Sequence, residues 1–115
     1  MTRIDIRDVY RRLNLANGRY VDIVDWFPKY TIVDENRNLF LRDAEGEVIW
    51  QVQSKFDVKR FQINEAGKRV EIPPAGPYTG GLKFDGGRLR AYRWDGFMYD
   101  IDIESGVATP AEFVK

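Results

Sequence analysis

Three alternating carboxylates, Asp100, Asp102 and Glu104, offer the most direct chemistry in this sequence. On a strand they would share a face and could chelate a hard cation such as calcium. As an EF-hand loop the run fails, because Ser105 stands where a glycine is required and Ala111 where a bidentate glutamate is required. A solvated acidic strand paired with Arg88 or Arg90 explains the same pattern more simply. Two of the 18 acids could also form a glycosidase-like pair, for which carboxyl groups stand about 5–10 Å apart across a cleft. A chain of 115 residues leaves little with which to build that cleft. Among the basic residues, Tyr92-Arg93-Trp94 and Lys59-Arg60-Phe61 interleave charge and aromatic rings as a nucleic-acid-binding barrel would.

Absent residues narrow the chemistry further. The chain has no cysteine and no histidine, which removes disulfides, the common zinc sites, His-ligated haem, Ser-His and Cys-His triads and imidazole acid-base catalysis. No enzyme activity, metal or cofactor is therefore expected. The 18 basic and 18 acidic residues cancel, so no overall field draws in nucleic acid or an anionic membrane, and both are disfavoured as partners. The charge is nevertheless uneven. Residues 1–20 hold five arginines against two aspartates, and residues 95–115 hold five acids against one lysine, so the two ends are expected to neutralise each other. The N-terminal run lacks the apolar core of a signal peptide, and no stretch approaches the ~18–20 apolar residues of a membrane span. A cytoplasmic location is expected.

The elements that must position these residues are mainly strands. An apolar fraction of 43% and an aromatic fraction of 14% suit one folded domain over residues 1–115. Asp95-Gly96 between two alternating runs predicts a two-residue type I′ hairpin. That register pairs Trp94 with Phe97, Arg93 with Met98 and Tyr92 with Tyr99, and it turns Tyr92, Trp94, Phe97, Tyr99 and Ile101 toward the core. Arg93 and Met98 fall on the half-wet face. Further strands are expected at Tyr20 to Val24, Lys29 to Val33, Leu39 to Leu41, Val48 to Val52, Phe61 to Ile63, Val70 to Ile72 and Leu82 to Phe84. Residues 5–16 fit a short helix that buries Ile6, Val9, Tyr10 and Leu13, stops at Asn17-Gly18 and carries Arg3, Arg7 and Arg11 as a polar stripe. The alternation of Ile4 and Ile6 leaves a strand open there. Pro73 to Gly81 reads as a stiff crossover. It contains Pro74-x-x-Pro77 but no Gly-Lys-Ser/Thr, so it is no phosphate-binding loop.

Two passages share one grammar. Asn38 to Trp50 and Gly96 to Pro110 each run through a hydrophobic strand, an acidic turn closed by glycine, and a second strand. This resembles the blade motif of quinoprotein-like β-propellers, in which a strand runs into Asp-x-x-x-Gly and a Trp follows four residues later. The first copy keeps Gly46 and Trp50 and shortens the turn from Asp43 by one residue. The second keeps the Asp102 to Gly106 spacing and places Pro110 at the Trp position. The resemblance covers about thirty residues and implies twisted antiparallel hairpins. It carries over no quinone site, and the chain is too short for the typical four to eight blades of a closed propeller.

These readings predict a mainly β domain, an antiparallel meander forming a small sandwich or barrel-like sheet with a short N-terminal helix. The expected function is a small non-enzymatic protein-binding module, similar in kind to immunity proteins that neutralise a cognate toxin. The alternative is a nucleic-acid- or small-ligand-binding barrel. Trp26, Tyr78, Arg93 and Met98 are the expected contact residues, because aromatic and arginine anchors dominate interface energy. Exposed sheet edges offer a route to a homodimer.

Overall fold

The computed structural model describes residues 9–24 and 37–113, and in these it is built from strands and turns. Strands β1 (Val9–Asn14), β2 (Tyr20–Val24), β3 (Leu39–Arg42) and β4 (Val48–Gln51) form one antiparallel sheet in that order. Strands β5 (Arg60–Ile63) and β6 (Arg69–Ile72) form a two-stranded ribbon. Strands β7 (Tyr78–Asp85), β8 (Arg88–Arg93), β9 (Phe97–Ile101) and β10 (Ala108–Phe113) form a second four-stranded antiparallel sheet, again in chain order.

One apolar core serves both large sheets. Val21, Ile23, Leu39, Leu41 and Trp50 from the first pack with Tyr78, Leu89, Ala91, Tyr99 and Ile101 from the second. The sheets are joined where Gln53 bridges in parallel to Val107, with Gln53 N–H donating to the Gly106 carbonyl and Ala108 N–H to the Gln53 carbonyl. Among the described residues neither sheet closes into a barrel, and no propeller ring is formed.

The expected helix is replaced by β1 over Val9–Asn14, followed by a single 3-10 turn at Ala16–Gly18. The reason lies in Asn17 and Gly18, which take left-handed conformations (φ 63° and 76°) and reverse the chain. Asn-Gly is a strong hairpin signal, and here it lays β1 against β2 with Arg12 opposite Asp22 and Leu13 opposite Val21. Tertiary pairing overrides the helical spacing. Residues 5–8 of the expected helix, and the expected strand at Lys29 to Val33, lie outside the described residues.

The β8–β9 hairpin forms, but one residue out of the expected register. Leu89 pairs with Ile101, Arg90 with Asp100, Ala91 with Tyr99 and Tyr92 with Met98. Gly96 at φ 90° donates to the Arg93 carbonyl at 3.0 Å, so the loop holds three residues, Trp94, Asp95 and Gly96. A one-residue slip turns β8 over relative to β9, so Phe97, Tyr99 and Ile101 keep the expected inward side while the residues of β8 exchange sides. Arg93 therefore points inward, while Trp94 stands 71% exposed and Tyr92 lies on the outer face.

Candidate functional site

Of the four expected contact residues, Trp26 lies outside the described residues and the other three are interior. Tyr78, Arg93 and Met98 are all buried. Tyr78 was expected in a loop, but it opens β7, because the strand begins four residues earlier than Leu82. The register slip turns Arg93 inward, whereas Met98 stays on the opposite face, across from Tyr92, and is buried there. Nothing in local patterning separates the two registers except the loop length around Gly96.

What these residues build is a closed polar network. The Arg93 guanidinium, 2% exposed, pairs with Asp57 at 2.6 Å, donates to the Gly76 carbonyl at 2.7 Å and to the Tyr78 hydroxyl at 3.2 Å. It also lies over the Tyr78 and Tyr99 rings, at 4.6 and 5.0 Å. Asp57 in turn accepts from Ser54 N–H at 2.7 Å, and the Tyr99 hydroxyl donates to Asp95 at 2.7 Å. Burial pushes both tyrosines well above the usual phenol range, reinforced at Tyr99 by its hydrogen bond to Asp95. Beside them the Asn38 side chain bonds the Val24 carbonyl and both main-chain groups of Tyr78, fastening β7 to the first sheet. A buried charge fully paired and hydrogen-bonded is a structural device, and its members are turned away from any ligand.

The alternating acids are dispersed in the same way. Asp100 accepts from Arg90 Nε at 2.8 Å and lies 3.6 Å from Arg88, while Asp102 accepts from Glu104 N–H at 2.8 Å in its own turn. Among the described residues no three such side chains are grouped to hold a metal ion. An open groove of about 460 Å³ runs past Arg88, Asp102 and Val107, at the end of the second sheet. Its carboxylate Asp100 is already engaged by two arginines.

The unsatisfied surface lies elsewhere, on the β5–β6 ribbon, which no expected anchor named. Every residue from Phe61 to Glu71 is exposed. Cross-strand pairs Phe61–Glu71 and Ile63–Arg69 share one face, and Gln62–Val70 the other. Phe61 is 50% exposed and Ile63 65% exposed, with Val58 (51%) at the ribbon's base. The Arg69 guanidinium lies 3.9 Å over the Phe61 ring, and Lys59 pairs with Glu71 at 2.9 Å. At the root, Arg60 covers Phe56 at 4.3 Å, and its Nε is buried without a hydrogen bond. The tip is stiff: Asn64 Oδ1 accepts from Ala66 and Lys68 N–H, and Gly67 N–H donates to the Asn64 carbonyl. The sequence signal for this site was present in Lys59-Arg60-Phe61. What it lacked was any indication that the ribbon stands away from the sheets.

In comparisons with protein-family models, curated proteins and solved structures, nothing matches this chain.

Proposed function

We propose that the chain is a non-enzymatic protein-binding module, of the kind represented by immunity proteins that occlude a cognate toxin, and that it binds through the β5–β6 ribbon. The carrying observation is the ribbon face with Phe61 and Ile63, half or more exposed beside a stacked Arg69. A two-stranded ribbon alone is marginally stable in water, and a third layer against its apolar face is the usual remedy. Phenylalanine, isoleucine and arginine on a pre-shaped hairpin supply that layer's anchors at small entropic cost. A protein partner suits this face better than nucleic acid does, since a phosphate backbone would leave Phe61 and Ile63 without an apolar contact. The tip residues Asn64 and Glu65 are polar, which argues against insertion into a membrane. A cytoplasmic setting belongs to this proposal.

The test is affinity capture from source-cell lysate at 150 and 500 mM salt, with and without nuclease, comparing the native chain with Phe61→Ala/Ile63→Ala. One protein retained by the native chain under all conditions, and lost by a variant with unchanged circular dichroism, is the expected result. Retention of nucleic acid alone, abolished by nuclease or salt, would overturn it. A captured enzyme whose activity is abolished by stoichiometric addition of the chain identifies the immunity type.

A further inference from the structure

The same ribbon has an open edge with a second property. Asn64 N–H donates to the Lys68 carbonyl at 2.9 Å, which makes that pair a hydrogen-bonded one. By the alternation of an antiparallel ladder, Gln62–Val70 and Arg60–Ile72 are then hydrogen-bonded pairs too. The residues between them on β6, Arg69 and Glu71, therefore direct their N–H and C=O groups away from β5. Both side chains are exposed.

We propose that β6 pairs with β6 of a second copy of this chain, antiparallel about Val70, to form a continuous four-stranded sheet. In that register Arg69 of each copy stands opposite Glu71 of the other. The two pairs exchange four main-chain hydrogen bonds and bring opposite charges together twice. Val70 meets Val70 on the symmetry axis, in the closer kind of pair. The register is specified by charge. A slip of two residues in one direction sets Arg69 against Arg69, and in the other Glu71 against Glu71, and directly opposed like charges are destabilising. An isologous contact of this kind closes at two copies.

The two edges of the second sheet are less suited. β10 carries Pro110 and an irregularity before Glu112, and β7 is interrupted around Gly80. Such features blunt an edge. β6 has neither, and its pairing with β5 is regular throughout. The dimer adds to the proposed function without depending on it, because Phe61 and Ile63 remain on an open face of the enlarged sheet.

Strands of four residues bury little area, so the dimer is expected to be weak, with a Kd of about 10 μM to 1 mM. Sedimentation velocity of the purified chain from about 10 μM to 1 mM, at low salt, reads it directly. The native chain is expected to shift from monomer to dimer over this range. Arg69→Glu and Glu71→Arg should each weaken association by roughly tenfold or more, since each opposes like charges twice. An equimolar mixture of the two variants should associate again, because each then presents what the other lacks. The double variant Arg69→Glu/Glu71→Arg should also self-associate. A native chain that stays monomeric to about 1 mM overturns the proposal, and so does a dimer that all variants form equally well or a mixture that stays monomeric. Partner capture is scored separately, so loss of the dimer and loss of the binding-module reading are distinguishable.

Discussion

Trp50 lies across Gly106, joining the two passages that share a strand, acidic turn and glycine. The indole Nε1 donates to the Ile103 carbonyl at 2.9 Å, and a methyl group at Gly106 would fall 2.6 Å from the ring. Gly106 is also left-handed, at φ 78°. The contact closes one end of the shared core, beside the Gln53–Val107 bridge. Gly106→Ala is expected to cost about 2–4 kcal/mol, from backbone strain together with the steric clash. Trp50→Ala should cost about 3–5 kcal/mol. Because both changes break one contact, urea denaturation of the double variant should show less than the sum.

The Arg93–Asp57 pair predicts a different kind of loss. Removing either residue takes a hydrogen-bonded opposite charge away from a buried ion, so Arg93→Met or Asp57→Ala should each destabilise by about 3–5 kcal/mol. Phe61→Ala, on the exposed ribbon, should change stability by no more than about 0.5–1 kcal/mol. Thermal and urea unfolding of the three variants check this ordering. Similar losses for all three would contradict the division between a structural network and a free face.

On the first sheet Asp22 is fully buried and accepts from Arg12 at 2.7 and 3.1 Å and from Arg42 at 2.9 Å. Its hydrogen bond holds the Arg12 guanidinium above its ordinary pKa. Arg42 is the more enclosed of the two arginines and also bonds the Gly46 carbonyl at 3.0 Å. Arg42→Ala should therefore destabilise more than Arg12→Ala, by about 1 kcal/mol. Equal losses would mean that burial does not rank these two contacts.

Tyr78 and Tyr99 predict an alkaline limit. Both are held protonated in the folded chain above the ordinary phenol pKa of 10.0, chiefly by burial. Above about pH 10 the unfolded chain releases these protons while the folded chain keeps them, so it binds more protons and stability falls with rising pH. The slope should approach about 1.4 kcal/mol per pH unit for each tyrosine, and nothing should be lost from these groups below pH 9. Tyr99→Phe should reduce the slope, although it costs the Asp95 hydrogen bond. Unfolding midpoints between pH 8 and 11, with tyrosinate absorbance as a second readout, test this.

Much of the strand layout was legible in the chain. Tyr20 to Val24 is a strand with the expected bounds, and Leu39, Val48, Phe61 and Val70 all lie on strands where alternation placed them. Glycine turns were equally plain, since Gly46 and Gly67 both need left-handed backbone and follow Asp or Asn by three residues. The absence of cysteine and histidine, and the balance of charges, also belong to the sequence alone. These are local facts, and local propensity and turn chemistry decide them.

The tertiary structure decided which side of each strand is wet. Asn17-Gly18 can stop a helix or reverse a hairpin, and only the pairing of β1 with β2 selects the hairpin. Asp95-Gly96 fits a two- or a three-residue loop, and the choice moves Arg93 from surface to core and Trp94 from core to surface. The alternatives differ by a single residue of register, which period-2 patterning weighs almost equally when both faces carry aromatic rings. The core resolves the ambiguity: it offers Arg93 a buried partner in Asp57, thirty-six residues away in sequence, and offers Trp94 none. The exposed β5–β6 ribbon follows from the same cause, since the two larger sheets complete their core without it.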